Sequence, residues 1–287
     1  MIAVFTREFK SYMNNMTGHI FIGFLLLFFG VCVAIYNLFL GMASFRFAIE
    51  ITGIAFLVVV PIITMRSLGR DRTNLTDTHL FSLPLKVSEI IIGKFLATAL
   101  VLVIPIGVMM LYPLILSAYG NMHYASSYCA ILALFLLGLA LISICMFISS
   151  LTESQVIAAV LSFGALLFLL ILPLLIALVP KDALASFLCL VALSFILAAI
   201  VWKLTSNINA GMIAAVLLVV ALCALYYFKK SLFEGLFHKI MTGLSLYDRF
   251  YDLNSGVFDL GSVVYLLSVT VFFLFISVQS LETRRWS

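Results

Sequence analysis

The chain has 287 residues, of which 65% are hydrophobic and 10% are charged, with a formal net charge of +4. Charged residues make up about a quarter of ordinary soluble proteins, so this composition excludes a soluble globular domain. No charged residue occurs between Lys94 and Glu153. This stretch is much longer than the roughly 20 apolar residues that a helix needs to cross the hydrocarbon core. The composition therefore predicts a polytopic membrane protein.

The amino-terminal segment, residues 2–14, predicts an amphipathic helix that lies in the inner membrane interface. Its apolar face repeats every fourth residue and consists of Phe5, Phe9 and Met13. Another face is polar and consists of Arg7, Lys10 and Asn14. The apolar run after Gly18 is long and has no small-residue cleavage site. We therefore expect this end to be retained and not removed as a signal peptide.

Apolar runs between charged residues predict an all-α bundle of about eight transmembrane spans. They cover residues 19–42, 47–65, 94–117, 127–150, 155–179, 183–203, 208–228 and 259–281. The second span is the weakest, because Glu50 must lie at headgroup level or the helix must be tilted and short. Three prolines are expected to kink the third and fifth spans, namely Pro105, Pro113 and Pro173.

The distribution of basic residues predicts the orientation in the membrane. An even number of spans places both termini on one side. If that side is cytoplasmic, the inner segments hold Arg7, Lys10, Arg66, Arg70, Arg72, Lys86, Lys94, Lys203, Arg284 and Arg285. The outer segments then hold only Arg46, Lys181, Lys229, Lys230, Lys239 and Arg249. The positive-inside rule therefore favours cytoplasmic termini.

The inner segment 66–93 is the largest connection on the predicted cytoplasmic side. Its first residues can extend the second span by a turn or two, and Thr76 or Asp77 can cap a short helix that ends before Pro84. The simplest interpretation is a plain connector. Connections between neighbouring elements usually comprise only a handful of residues, however, so this length favours a docking role.

The outer segment 229–258 predicts a helix that lies half-buried on the outer face. One i, i+4 row consists of Leu232, Leu236, Ile240 and Leu244. The adjacent row consists of Phe233, Phe237 and Met241. The opposite side of this helix is polar.

Ion-coupled transport and catalysis find little support in the residues. No ionisable residue lies near the centre of a predicted span, as ion coupling generally requires. The polar residues within the spans are expected to bond their own backbone or a neighbouring helix: Asn37, Thr64, Thr98, Ser143, Ser162 and Ser194. The charged clusters at 70–72 and at 248–252 lack a nucleophile with an evident base, so we expect no catalytic residue.

The sequence offers neither a metal site nor a nucleotide site. The five cysteines and four histidines show no ligand spacing, so we expect no metal and no cofactor. Gly93 and Lys94 are followed by Phe95, and no glycine stands five positions before Gly93, so the chain lacks a P-loop. A membrane bundle without its own energy source is what a transporter driven by a separate ATPase requires.

Three segments spread over most of the chain share a specific pattern. The first lies in and around the 66–93 loop and comprises Met65, Arg66, Ser67, Asp71, Arg72, Thr76, Leu80, Leu83, Pro84, Gly93, Lys94 and Phe95. The second is FISSLTESQVIAAVLSF at 147–163, and the third is LETRRW at 281–286. Together they resemble the permease subunits of ABC-2 type exporters, specifically the gliding-motility-associated branch. Leu75 and Arg70 depart from the family pattern, which has a glycine and commonly an acidic residue there.

The resemblance implies a single permease domain over residues 1–287, with a six-span core and an additional helix pair at 183–228. It implies an ATPase-docking loop formed by Arg66, Arg70, Asp71, Arg72, Thr76, Leu80, Phe81, Leu83 and Pro84. It implies an inner turn at Ser149, Ser150, Thr152, Glu153 and Gln155. An outer gate would comprise Leu232, Phe233, Leu236, Phe237 and Ile240, with simple anchoring at the headgroups as the alternative.

The same resemblance implies the partners and the location. ATP and magnesium would be bound by a cytoplasmic ABC ATPase, and a second permease subunit would complete a homodimer or heterodimer. The chain would lie in the plasma membrane of a prokaryote among its lipids, and no nucleic-acid partner is expected. Two other functions stay open at this point: a membrane scaffold that tethers an ATPase without transport, and a polytopic lipid-active enzyme that uses Asp248 or Asp252.

Overall fold

The computed structural model describes residues 1–73, 86–118, 123–152, 154–180, 182–184, 186–192, 194, 216, 217, 219, 220, 223, 226, 233–256 and 258–286. For residues 66–73 and 284–286 only the backbone is described. The chain forms two compact units. The first comprises Met1–Leu170 with Leu246–Ser287, and the second comprises Ile171–Ser245.

The described residues form helices and contain no β-strand. The first four are α1 (Ile2–Asn14), α2 (Met16–Val33, followed by a π-helical turn over Ala34–Phe39), α3 (Arg46–Thr73) and α4 (Val87–Met109). The next three are α5 (Tyr112–Leu116), α6 (Tyr124–Leu151) and α7 (Gln155–Leu178). The last three are α8 (Leu236–Leu244), α9 (Leu246–Asn254) and α10 (Leu260–Trp286).

Six helical stretches of the described residues are long and apolar enough to cross a membrane. They are Met16–Phe39, Arg46–Met65, Val87–Leu116, Tyr124–Leu151, Gln155–Leu178 and Leu260–Thr283. They match the six predicted spans outside 183–228 and indicate a multi-pass membrane protein. The predicted spans 183–203 and 208–228 lie largely outside the described residues, so the additional helix pair stays a prediction.

Helix α6 forms the centre of the first unit. It packs against α3, α4, α9 and α10, and it buries residues on all sides between Cys129 and Met146. A helix that is apolar all round is expected in such a position. A Cβ atom at Gly138 would lie 2.6 Å from Leu102 Cδ2 and 3.1 Å from Phe56 Cε2. The glycine therefore allows α4 and α3 to approach α6 closely, as small residues do between membrane helices.

The first unit has two ends that matter for function. The loop end is the end at which α3 extends past Met65 and α4 begins. The far end is the end at which α3 and α6 begin. Helices α3 and α6 run in the same direction, because the residues just before them are joined by a hydrogen bond from the His123 N–H to the Ala43 carbonyl oxygen, and farther along Phe56 of α3 lies beside Gly138 of α6.

The prolines occupy two kinds of position. Pro105 and Pro173, for which the sequence predicts kinks, lie inside α4 and α7, and Pro61 lies inside α3. Pro113 lies in the first turn of α5, where its missing N–H interrupts no helical hydrogen bond.

Candidate functional site at the base of the docking loop

The predicted docking loop leaves and re-enters the first unit through two regular helices. The backbone of α3 stays helical to Thr73, eight residues beyond the span that ends at Met65. This confirms the predicted extension of the second span beyond its apolar part. Of the predicted docking residues, the side chains of Arg66, Arg70, Asp71 and Arg72 lie outside the described part of the structure, and so do Thr76, Leu80, Phe81, Leu83 and Pro84.

Helix α1 packs against α4 and makes a hydrogen bond to α3, and these are the two helices that border this loop. The Tyr12 hydroxyl donates a hydrogen bond to the Ile63 carbonyl oxygen at 3.3 Å, close to the point where α3 leaves the span. On α4, a Cβ atom at Gly93 would lie 3.3 Å from both the Met1 carbonyl oxygen and Val4 Cβ. Gly93 therefore lets the α1 backbone approach α4 more closely than a larger residue would.

An ion pair joins α1 to α4 beside this close approach. The Lys94 Nζ atom lies 3.6 Å from Glu8 Oε1, and the Lys94 side chain is 1% exposed. Arg7 Nη2 lies 2.9 Å from the same carboxylate oxygen. Removing one member of a buried ion pair generally costs about 3–5 kcal/mol, because the other charge stays in a poorly solvated place. Each of these charges therefore depends on the other for its place between the two helices.

The helix that carries Lys94 begins before the predicted span. The sequence predicts the third span from Lys94, whereas the helix itself begins at Val87 and has Glu89 in its first turn. Lys94 therefore lies about 10 Å from the start of this helix, at a rise of about 1.5 Å per residue. The Glu8 carboxylate, which comes from a different helix, explains how a cation is accommodated there.

The predicted inner turn ends α6 and begins α7. The Ser150 hydroxyl donates to the Phe147 carbonyl oxygen at 2.6 Å, and the Thr152 hydroxyl donates to that of Ile148 at 3.4 Å. Ser149 is 1% exposed, and its hydroxyl has no hydrogen-bond partner among the described residues. Gln155 begins α7, and Glu153 lies outside the described residues. The hydroxyl groups of Ser150 and Thr152 therefore help to end the helix, since they bond carbonyl groups of its last turns.

The predicted outer-gate residues lie in the second unit. Phe233 is 2% exposed and forms a small apolar cluster with Ala183 and Leu190. Its ring centroid lies 5.5 Å from that of Tyr226 and 6.0 Å from that of Phe187. Leu236 and Phe237 pack against this cluster, Ile240 is 38% exposed, and Leu232 lies outside the described residues. Three of the five candidate gate residues, Phe233, Leu236 and Phe237, thus share an apolar cluster with residues of the predicted additional helix pair.

Helix α9 is buried in the first unit, whereas the sequence predicts only a half-buried helix on the outer face for this segment. It packs against α3, α6 and α10, and its residues Tyr247, Phe250 and Leu253 are at most 1% exposed. Asn254 Nδ2 donates to the Arg46 carbonyl oxygen at 3.0 Å, which places the end of α9 at the far end. Phe250 ring atoms lie 3.1 Å from the Cβ position of Gly53, about 10 Å farther along α3. This helix therefore reaches inward from the far end.

Helix α9 carries charged and polar side chains along its length, from the interior of the unit to the far end. Arg249 lies 5.9 Å from the Tyr265 ring centroid and 4.0 Å from Asp252, whose side chain is 60% exposed. Burial raises the pKa of Tyr247 above its ordinary value, and the Tyr247 hydroxyl has no hydrogen-bond partner among the described residues. The sequence carried a signal for this helix, because Leu246, Phe250 and Leu253 recur at helical spacing.

The start of α10 is fixed by a carboxylate cap. Asp259 Oδ2 accepts hydrogen bonds from the Ser262 N–H at 2.8 Å and from the Ser262 hydroxyl at 2.5 Å. The hydrogen bond from the Ser262 side chain is the main reason why the pKa of Asp259 lies below its ordinary value. Such a cap satisfies N–H groups that the first helical turn leaves open.

Most polar residues within the spans bond their own helix, as the sequence predicted. The hydroxyl groups of Thr64, Thr98 and Ser143 donate to the carbonyl oxygens of Val60, Lys94 and Ala140 at 2.7–3.0 Å. Ser194 does the same toward Val191. Among the described residues, no group of three or more His, Cys, Asp or Glu side chains is arranged to hold a metal ion.

No family model, no curated protein and no solved structure matches this chain.

Proposed function

We propose that this chain is the membrane-spanning permease subunit of an ATP-driven ABC-2 type exporter. The proposal rests on the resemblance in three segments and on one structural observation. Helix α1 contacts α3 beside Met65 and α4 at Gly93 and Lys94, which are the two helices that border the predicted docking loop. A force on that loop would therefore reach three helices together.

The mechanism that fits this geometry is a population shift driven from outside the chain. ATP and magnesium bind to the partner ATPase, whose closure pushes on the loop near Arg70 to Leu83. Rigid helices carry the displacement, and the bundle shifts toward a state that is open outward or toward the lipid. The chain itself supplies the path and no catalytic group. A second permease subunit, either identical or different, faces it across that path.

Mutation of the predicted docking loop tests the assignment. Leu80→Asp together with Phe81→Asp places two charges where an apolar contact with the ATPase is expected. We expect the amount of ATPase that co-purifies with the double variant in mild detergent to fall at least tenfold. The reason is that two desolvated apolar contacts are lost, each of which contributes about 1–2 kcal/mol.

A matched control adds the same charge to the same loop. Thr78→Asp together with Ser82→Asp leaves Leu80 and Phe81 in place, and we expect it to retain the ATPase. Equal retention by both double variants would refute the docking assignment. With an intact complex in lipid vesicles, movement or extraction of a substrate that depends on ATP turnover separates an exporter from a scaffold that only tethers its ATPase.

A further inference from the structure

We propose that the exposed face of α1 binds the headgroups of anionic phospholipids at the loop end of the bundle. This inference does not depend on transport or on the identity of the ATPase. It follows from the three faces of α1: one packs against the bundle, one is an apolar row, and one is basic and exposed.

Three faces can be distinguished around α1. The face toward the bundle carries Val4 and Tyr12, each 5% exposed, with Glu8 between them. A second row consists of Phe5, Phe9 and Met13, of which Phe9 and Met13 pack partly against the apolar core of the bundle, and all three are partly buried. The Phe5 and Phe9 rings are stacked, with centroids 6.2 Å apart. The third face is exposed and consists of Arg7, Lys10 and Asn14.

The level of α1 is set by its neighbours in the fold. The apolar span of α2 begins at Met16, directly after α1 ends. Tyr12 bonds the Ile63 carbonyl, two residues before the apolar span of α3 ends at Met65. A Cβ atom at Gly18 would lie 3.0 Å from the Tyr12 carbonyl carbon, so the corner between α1 and α2 is tight. These contacts hold α1 at the boundary between the apolar spans and the polar loop end.

At this boundary the outer faces of α1 suit a lipid surface. An amphipathic helix in the interface inserts its apolar side below the headgroups and presents basic side chains to them. Here the Phe5 and Phe9 row lies next to the Arg7 and Lys10 face, as that arrangement requires.

The charges of α1 are arranged to favour an anion outside. The Glu8 carboxylate pairs with Lys94 and also with Arg7 Nη2 at 2.9 Å, while the Arg7 side chain stays 52% exposed and Lys10 is exposed. Arg7 and Lys10 are three positions apart and thus neighbours on one helix face. Phosphate oxygens accept hydrogen bonds readily from guanidinium and ammonium groups.

Native mass spectrometry of the full chain tests this proposal. The purified protein is mixed in detergent with equal amounts of phosphatidylglycerol and phosphatidylcholine, and the ratio of the two bound lipids is measured. We expect the unchanged chain to favour phosphatidylglycerol. Since each basic residue near an anionic surface contributes about fivefold in affinity, Arg7→Gln with Lys10→Gln should reduce that preference about 25-fold.

Two further variants keep the test decisive. Lys10→Gln alone leaves the contacts of Glu8 intact and should reduce the preference about fivefold. The charge-matched control Lys229→Gln with Lys239→Gln, outside α1, should leave it unchanged. An unchanged preference in the α1 variants, or an equal loss in the control, would overturn the proposal. So would a double variant that loses the co-purifying ATPase while it keeps its lipid preference, since the basic face would then serve a protein.

Discussion

At the scale of single residues, the ion pair between Glu8 and Lys94 changes how the amino-terminal helix is understood. The sequence pattern grouped the apolar residues of α1 into one face, yet the row that packs on the bundle contains a glutamate. The carboxylate is tolerated there because Lys94 lies 3.6 Å away on α4. Neither side chain would be expected to carry a charge inside the protein alone, so the two positions depend on each other.

A double-mutant cycle measures this dependence. Glu8→Gln removes the carboxylate that faces the buried Lys94 ammonium group, and we expect it to lower the free energy of unfolding by about 3 kcal/mol. Lys94→Met replaces the lysine with a side chain of similar length and leaves Glu8 close to Arg7, so a loss of about 1 kcal/mol is expected. Unfolding in mixed micelles provides the measurement.

The combined variant Glu8→Gln with Lys94→Met supplies the decisive comparison. It leaves no buried ammonium group at this position, so we expect it to be more stable than Glu8→Gln alone. Coupled residues in contact commonly deviate from additivity by about 0.5–3 kcal/mol. Strictly additive losses would show that the pair does not join the two helices.

At the scale of elements, the contact between α1 and α4 depends on Gly93. Because Gly93 has no side chain, the Met1 carbonyl oxygen at the start of α1 lies only 3.3 Å from the position that a Cβ atom of residue 93 would occupy. The same principle operates where α9 meets α3, because Phe250 lies over Gly53. In both places a glycine creates a shallow recess that another helix fills.

Gly93→Val tests the role of this recess. The added side chain would collide with Val4 and the Met1 carbonyl, so we expect α1 to be displaced at a cost of about 2 kcal/mol. Faster tryptic cleavage after Arg7 and Lys10 would report the displacement. Gly107→Val is the matched control on the same helix, because nothing lies within 4 Å of the Cβ position there. Equal cleavage rates in the two variants would contradict the assignment.

At the scale of the whole molecule, the proposed function requires the loop end to face the cytoplasm. The predicted orientation rests on the excess of basic residues in the segments assigned to the inside. The structure makes the consequence specific, because it places Asp252 at the far end with its side chain 60% exposed. The two ends of the first unit should therefore differ in access from outside the cell.

Labelling of single cysteines in a chain without its native cysteines tests this orientation. We expect Asp252→Cys to react with a membrane-impermeant maleimide in intact cells, and Ser82→Cys in the docking loop to react only after permeabilisation. Phe250→Cys is a control on the same helix and should stay unreactive, since Phe250 is 0% exposed. Reaction of Ser82→Cys in intact cells would exclude contact with a cytoplasmic ATPase.

Local composition was sufficient to determine the membrane character of this protein, the six apolar helices outside 183–228, the helix at residues 2–14 and the extension of α3 past Met65. These features depend on runs of apolar residues and on helical periodicity, which are local properties of a chain. The tertiary structure alone decided that Glu8 faces Lys94, that Gly93 receives α1 and that α9 enters the bundle. Each of these depends on residues far apart in the chain that meet only when the helices pack, and hydrophobicity by itself does not indicate which helix provides the compensating charge or the open space.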